Sequence, residues 1–171
     1  MEKSDTMKFV WENYDFKKHK EIDSWNRLNS MIDKYAMFGE RLSKQFKWYN
    51  DNPEDPISNY RYYVYVTNKQ NQIIGFIICN VSYLENYYQA GINPIVMNPN
   101  LINSGLGKKV LIEFVDNHKL LLGVDVKDYL VMVDGNNSIA TKLFHSVGFK
   151  QTKSIDGYNE LILETVVRNK R

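Results

Sequence analysis

The spacing of apolar and polar positions changes several times along the chain, and each change marks an element. Between Met7 and Tyr14, Phe9 and Trp11 alternate with polar neighbours, which predicts a first strand. Ile22, Trp25 and Leu28 then lie three apart, and Met31, Tyr35, Phe38, Leu42 and Phe46 continue at steps of three and four, the spacing of one helix face. Gly39 falls within this zone and predicts a break between two helices. The prolines and short polar residues of 50–58 make a loop. From Tyr60 the period is that of strands: Tyr60 to Thr67, Ile73 to Leu84 after a turn at 69–72, and Gln89 to Met97 after a second turn at 85–88. Pro94 lacks the N–H that a ladder needs, so a bulge or an unpaired edge is expected there.

A polar, glycine-containing stretch from Asn98 to Lys109 follows, and then Val110, Leu111, Phe114 and Val115 share one face of a helix reaching His118. Tyr129 to Val133 reads as a short buried strand, so strand, helix and strand predict a parallel crossover. The turn from Asp134 to Asn137 opens a helix with Ile139, Ala140, Leu143, Phe144 and Val147 inward, and Gly148 is placed to end it. Phe149 to Ile155 and Tyr158 to Val167 close the chain as a hairpin around Asp156-Gly157. The order β-α-α-β-β-β-α-β-α-β-β defines an α+β class with a mixed, mostly antiparallel central sheet flanked by helices. No repeat, low-complexity tract or linker divides it, so residues 1–171 are expected to form a single domain.

Composition narrows the partners. With 43% hydrophobic and 25% charged residues among 171, the chain reads as globular, with enough length for a real core. No apolar run is long enough to cross a bilayer, and the polar start of the chain lacks the core of a signal peptide, so no membrane partner is expected. A formal charge of +2 is too small to argue for nucleic acid. The single cysteine, Cys79, cannot form an internal disulfide and reads as a buried thiol, which suits a cytoplasmic protein. His19 and His118 stand alone in the sequence, and His145 lies off the helix face of Phe144, so no metal site is expected. Tyr60, Tyr62, Tyr63 and Tyr65 read as sheet packing, with room for one of them to line a pocket.

The stretch Asn98-Pro-Asn-Leu-Ile-Asn-Ser-Gly-Leu-Gly-Lys-Lys109 carries the chemistry. A strand, a loop closing on Gly105 and Gly107, and a helix make a phosphate cradle. The first-turn N–H groups of a helix have no internal partner, and its positive dipole end favours an anion. Lys108 and Lys109 add two ammonium groups where the dipole alone disfavours them, which suits an anionic, phosphorylated ligand.

Two motifs then resemble the GNAT superfamily of N-acetyltransferases. The family loop Q/R-x-x-G-x-G/A is matched at both glycines by Ile102-Asn103-Ser104-Gly105-Leu106-Gly107, with Pro99 where a proline is frequent. The family pattern N-x-x-A-x-x-L-Y-x-x-x-G-F is matched, apart from its tyrosine, by Asn137, Ala140, Leu143, Phe144, Gly148 and Phe149. The resemblance covers residues 60–167 well and the earlier part in element order alone. It implies acetyl-CoA as co-substrate and transfer of its acetyl group to a small-molecule or peptide amine, with a homodimer allowed. It implies pyrophosphate against the backbone of Asn103, Ser104, Gly105, Leu106, Gly107 and Lys108, and pantetheine amides against Ile95, Val96 and Met97. It places Asn137 on the opposite wall and Phe144 near the thioester sulfur. Ile102 replaces an anchoring Gln or Arg, an absence that Lys108 or Lys109 can offset. Phe144 replaces a tyrosine, and a phenyl ring has no proton to give the leaving thiolate.

Such a transfer needs an uncharged amine, a donor for the oxyanion and a proton for sulfur. An alkyl amine with a pKa of roughly 10.4 is mostly protonated at neutral pH, and a base contributes about 10²–10⁴-fold. The Met97 N–H is the expected oxyanion donor. Residues Gln89 to Met97 include no carboxylate, which leaves Glu85 and Asp134 as base candidates beside plainer turn or capping roles. Asp51, Glu54 and Asp55 form an acidic loop that either draws a cationic amine or is merely solvated. The alternative to an enzyme is a CoA-binding module of the same fold with weak or lost turnover.

Overall fold

The computed structural model describes residues 9–15, 17–25, 51, 60–67, 72–102 and 104–165. The helical zone from Leu28 to Phe46, its break at Gly39, the turn at 69–71, Glu54 and Asp55 of the acidic loop, and Asn103 lie outside these residues. The strands are β1 (Phe9–Asn13), β2 (Tyr60–Thr67), β3 (Ile73–Leu84), β4 (Tyr87–Met97), β5 (Val126–Asp134), β6 (Lys150–Ile155) and β7 (Tyr158–Glu164). They form a 7-stranded sheet in the order β1-β2-β3-β4-β5-β7-β6. Among the described residues the helices are α1 (Leu106–Asp116), α2 (His118–Leu122) and α3 (Ser138–Val147). No helix among the described residues is long and apolar enough to cross a membrane.

The chain divides into two compact units, residues 1–77 with 96–103 and residues 78–95 with 104–171, and the division cuts through the continuous strands β3 and β4. In the first unit β1 lies antiparallel to β2, from Phe9 opposite Thr67 to Asn13 opposite Tyr63. Trp11 faces Tyr65 directly across this pair, with ring centroids 4.6 Å apart, and Phe9 stacks on Tyr65 at 5.4 Å. Such cross-strand aromatic pairs are the unit of sheet stabilisation, and they account for the alternation of Phe9 and Trp11 with polar residues. After β1 the chain makes a 3-10 turn at Lys20–Ser24 that buries Ile22. The step of three from Ile22 to Trp25 therefore belongs to a 3-10 turn at this point, since both side chains are buried and that geometry eclipses i and i+3.

In the second unit β5 is parallel to β4 and antiparallel to β7, and β6 closes the edge against β7. The α1 and α3 helices pack on each other. Val110, Leu111, Phe114 and Val115 of α1 are buried as their spacing required, and Phe114 meets the ring of Tyr129 edge-on at 6.0 Å. Burying such a side chain contributes roughly 1.5–3 kcal/mol.

Several boundaries differ from expectation. The strand β5 begins at Val126 rather than Tyr129 because Asp128 pairs with Gln89 across the ladder, its carboxylate accepting from Gln89 Nε2 at 2.6 Å. The hydrophobic pattern could not show this, since the residue inside the sheet is charged. The helix expected to run to His118 stops at Asp116, and α2 follows until Gly123 ends it. The strand β7 ends at Glu164, and the single O–H of Thr165 that follows lies between the carbonyls of Val126 and Lys127, at 2.7 and 2.9 Å.

Candidate active site

The site begins where two parallel strands separate. The β4–β5 ladder runs from Tyr88 opposite Val126 to Gly91 opposite Leu130 and then stops, although both strands continue. Pro94, which lacks an N–H, lies just beyond the last paired position, so the expected unpaired edge is present. The register shift falls earlier, between Tyr88 and Gln89, rather than at Pro94. Beyond Gly91, β4 has no ladder partner on β5 among the described residues.

At the exit of β4, Asn98 is buried and bonded at every polar group. Its backbone N–H donates to Ile74 O at 2.9 Å, and its Nδ2 donates to Ile73 O at 2.7 Å. Its Oδ1 accepts from Asn100 N–H at 3.0 Å, and its carbonyl accepts from Leu101 N–H at 2.9 Å. Pro99 opens the resulting 3-10 turn, Pro99–Leu101, with Asn98 as its cap. Ile102 is extended and exposed, so it presents an apolar side chain to solvent where an anchoring polar one was absent from the motif.

The second part of the loop enters α1. Gly105 sits in the left-handed region at φ +77° as the helix cap, and it supplies no side-chain acceptor to the first turn. Gly107 lies inside that turn rather than in the loop, and so do Lys108 and Lys109, both exposed. Ser104 Oγ accepts from Leu106 N–H at 3.4 Å, a long bond that an anion can replace. No acidic residue stands in the first turn, while Glu113 and Asp116 lie toward the far end. The helix thus carries cations at its positive end and anions at its negative end, an arrangement that an anion bound at the first turn relieves. The residues present fit a pyrophosphate.

The acetyltransferase (GNAT) family profile matches residues 25–149. The chain belongs to the GNAT acetyltransferase family. It is an N-acetyltransferase that uses acetyl-CoA as donor. Solved structures agree in fold. The spermidine N-acetyltransferase from Vibrio cholerae in complex with CoA and spermine superposes with a TM-score of 0.71 at 15% identity, covering 92% of this chain and 96% of that one. Mutant forms of the spermidine/spermine N-acetyltransferase from the same organism give 0.70 at 16% identity, covering 96% and 99%. A dodecameric structure of that organism's spermidine N-acetyltransferase, in an intermediate state, gives 0.68 at 15% identity, covering 94% and 95%. None of the curated proteins matches the chain in sequence.

In this acetyltransferase the remaining candidates separate by position. Glu85 is exposed at the β3–β4 turn with φ +48°. It precedes β4 at the end where the ladder is closed, and at ~3.3 Å per residue it lies roughly 30 Å along the strand from Ile95. Asp134 is the last residue of β5, at the end where the strands have separated. Its Oδ1 accepts from Asn136 N–H at 2.9 Å and its carbonyl accepts from Asn137 N–H at 2.8 Å. Asn137 caps α3 through Oδ1, which accepts from Ala140 N–H at 3.1 Å. Phe144 is buried, with its ring edge-on to Phe149 at 5.0 Å. Val96 is buried, and Ile95 and Met97 are half-buried. Asp51 is exposed.

Each histidine has a hydrogen-bond partner within the fold. His19 is buried, its Nδ1 accepts from Asp15 N–H at 3.0 Å, and its Nε2 faces Glu12 at 3.1 Å. Accepting through Nδ1 fixes the proton on Nε2 and commits both nitrogens. His118, also buried, faces Val115 O at 2.8 Å and Asp125 at 3.1 Å. Neither is isolated, contrary to the sequence pattern, because the partners lie at separations that no motif marks. His145 is exposed and bonds Phe149 O at 2.9 Å. Cys79 is buried. No group of three or more His, Cys, Asp or Glu able to hold a metal occurs among the described residues.

Proposed function

We propose that this enzyme, acting as one domain over residues 1–171, transfers the acetyl group of acetyl-CoA directly to a primary amine of the polyamine class. The observation that carries the placement is the left-handed Gly105 opening α1 beneath two lysines, on a chain whose β4 has parted from β5. In this reading the backbone N–H groups of Asn103, Ser104, Gly105, Leu106, Gly107 and Lys108 hold the pyrophosphate, with Lys108 and Lys109 adding charge. The freed edge at Ile95, Val96 and Met97 takes the pantetheine amides. Asn137 flanks the cofactor from β5's side, and Phe144 supports that wall as an apolar ring.

The amine nitrogen attacks the thioester carbonyl, and the Met97 N–H donates to the oxygen as it gains charge. The tetrahedral centre then collapses, the C–S bond breaks, and the thiolate takes a proton delivered by water, since Phe144 has none to give. The proton that the amine loses passes to a base. Of the two carboxylates, Asp134 is the one favoured by position, standing at the open end of the strands, whereas Glu85 stands at the closed end. The acceptor class rests on the spermidine acetyltransferases among the structural neighbours and on the acidic residues Asp51, Glu54 and Asp55, which favour a polycation. Self-association is consistent with the dodecameric neighbour. A cytoplasmic location is consistent with the single buried thiol.

A thiol-release assay with acetyl-CoA and a panel of spermidine, spermine, aminoglycosides and lysine peptides tests this reading. Turnover with the polyamines and little with the others is expected. Tight acetyl-CoA binding with no turnover on any amine would instead favour a CoA-binding module, the reading to which Phe144 lends its one observation.

A further inference from the structure

We infer that Asn98 is a positioning residue that sets the cofactor-facing edge of Met97, and this rests on the reading that Met97 and the loop after it hold acetyl-CoA. Met97 is the last residue of β4, and its N–H can serve as an oxyanion donor only if the strand end is fixed in both place and rotation. A single ladder bond leaves the end of a strand free to pivot. Asn98 removes that freedom by holding two consecutive carbonyls of β3, Ile74 O through its backbone at 2.9 Å and Ile73 O through Nδ2 at 2.7 Å. On its other side it sets the direction of the loop, since Oδ1 holds Asn100 N–H at 3.0 Å and the carbonyl holds Leu101 N–H at 2.9 Å.

The chemistry of the position explains the residue type. One short side chain must donate to a carbonyl and accept from an N–H while only 6% exposed. Asparagine carries both functions on adjacent atoms, aspartate carries acceptors alone, and alanine carries neither. The clamp touches no substrate and no reacting atom. It acts through Met97 on one side and through the turn that leads to the phosphate loop on the other. Pre-setting both in the free protein removes an ordering cost from binding.

The test compares Asn98→Ala and Asn98→Ser with Thr165→Val in the full chain. Thr165 is buried and its one O–H is shared between two main-chain carbonyls, Val126 O at 2.7 Å and Lys127 O at 2.9 Å, at the start of β5 where the β4–β5 ladder is closed. It therefore controls for loss of buried hydrogen bonds away from the cofactor. CoA affinity is read by calorimetry and melting temperature by scanning. Asn98→Ala, by releasing the end of β4 and the turn after it, is expected to weaken CoA binding by about tenfold or more, the scale of one charge-assisted bond between the displaced loop and the pyrophosphate, and Thr165→Val to leave it within about twofold for a comparable fall in melting temperature. Asn98→Ser, which keeps an acceptor for Asn100 N–H, is expected to fall between wild type and Asn98→Ala, and it carries the test should Asn98→Ala fail to fold. Equal CoA affinity in wild type and the Asn98 variants, or equal losses in the Asn98 and Thr165 variants, overturns the inference alone. Absence of CoA binding in the wild type overturns the reading beneath it.

Discussion

Replacing Gly105 by alanine separates the backbone's role from the ligand's. At φ +77° an added β-carbon is strained in any surroundings, but it meets no protein atom within 4 Å. The cost to the free fold is therefore that of a left-handed residue, about 1–2 kcal/mol. For a chain of this size each kcal/mol moves the melting temperature by roughly 2–4 °C, so a fall of about 2–8 °C is expected. On the proposed reading Gly105 lines the cradle, and the added methyl group holds the pyrophosphate away from its main-chain donors. Losing one charge-assisted main-chain bond of roughly 1.5–3 kcal/mol then weakens CoA by about 10- to 150-fold. Gly123 supplies the control, with φ +73°, nothing within 4 Å of its β-carbon, and a place at the other end of the α1–α2 segment. Gly123→Ala is expected to lower the melting temperature equally and to leave CoA affinity unchanged. Scanning calorimetry and titration calorimetry on both variants read the two quantities independently. If Gly105→Ala melts lower yet binds CoA as wild type does, the cradle does not lie at Gly105.

Four further outcomes follow from the same geometry. Lys108→Glu combined with Lys109→Glu should weaken CoA binding while leaving the fold intact, because both side chains are exposed, and the effect should shrink in a salt titration of the affinity. Asn137→Ala removes the α3 cap and should cost about 0.5–2 kcal/mol in urea unfolding. Asp134→Asn keeps an acceptor for Asn136 N–H but removes the proposed base, so kcat should fall about 10²-fold with Glu85→Gln near wild type; equal activity in both variants would remove Asp134 from the mechanism. The Glu12 carboxyl is held below its ordinary value of 4.5, chiefly by Lys18 and then, against the effect of burial, by His19. A depressed carboxyl stabilises the fold above its unfolded value and loses that contribution as pH falls through the folded one, so Glu12→Gln should flatten the loss of stability below about pH 5 in acid melts.

Much of the fold was legible because its signals are local and repeated. The α1 face of Val110, Leu111, Phe114 and Val115, the α3 stop at Gly148 and the Asp156-Gly157 hairpin each follow from spacing or turn chemistry that neighbouring residues impose. The parallel crossover was legible because a helix between two apolar strands admits few alternatives. What the pattern could not show depends on long-range partners. Asp128 falls outside the strand that the apolar run from Tyr129 predicts, yet it lies in β5, where Gln89 meets it. His19 and His118 read as isolated because Glu12 and Asp125 lie seven residues away with no motif between. Within the proposed site, the glycines and lysines point to an anion cradle through backbone physics alone, a reading that the CoA-binding measurements test. Asn98 carried a signal too, an Asn-Pro pair opening a turn, but its second bond to Ile73 depends on a strand 25 residues earlier. The base stayed open because a carboxylate at a strand end has the same sequence signature whether it takes a proton or caps a turn.

The most direct measurement is an amide-resolved NMR titration of the wild-type chain with CoA. The amides of Ser104, Gly105, Leu106, Gly107 and Lys108 are expected to shift together and saturate, with Met97 following as the pantetheine arm docks. A titration in which those amides stay still while CoA binds elsewhere, or in which no amide moves at near-millimolar CoA, contradicts the placement of the donor on this loop.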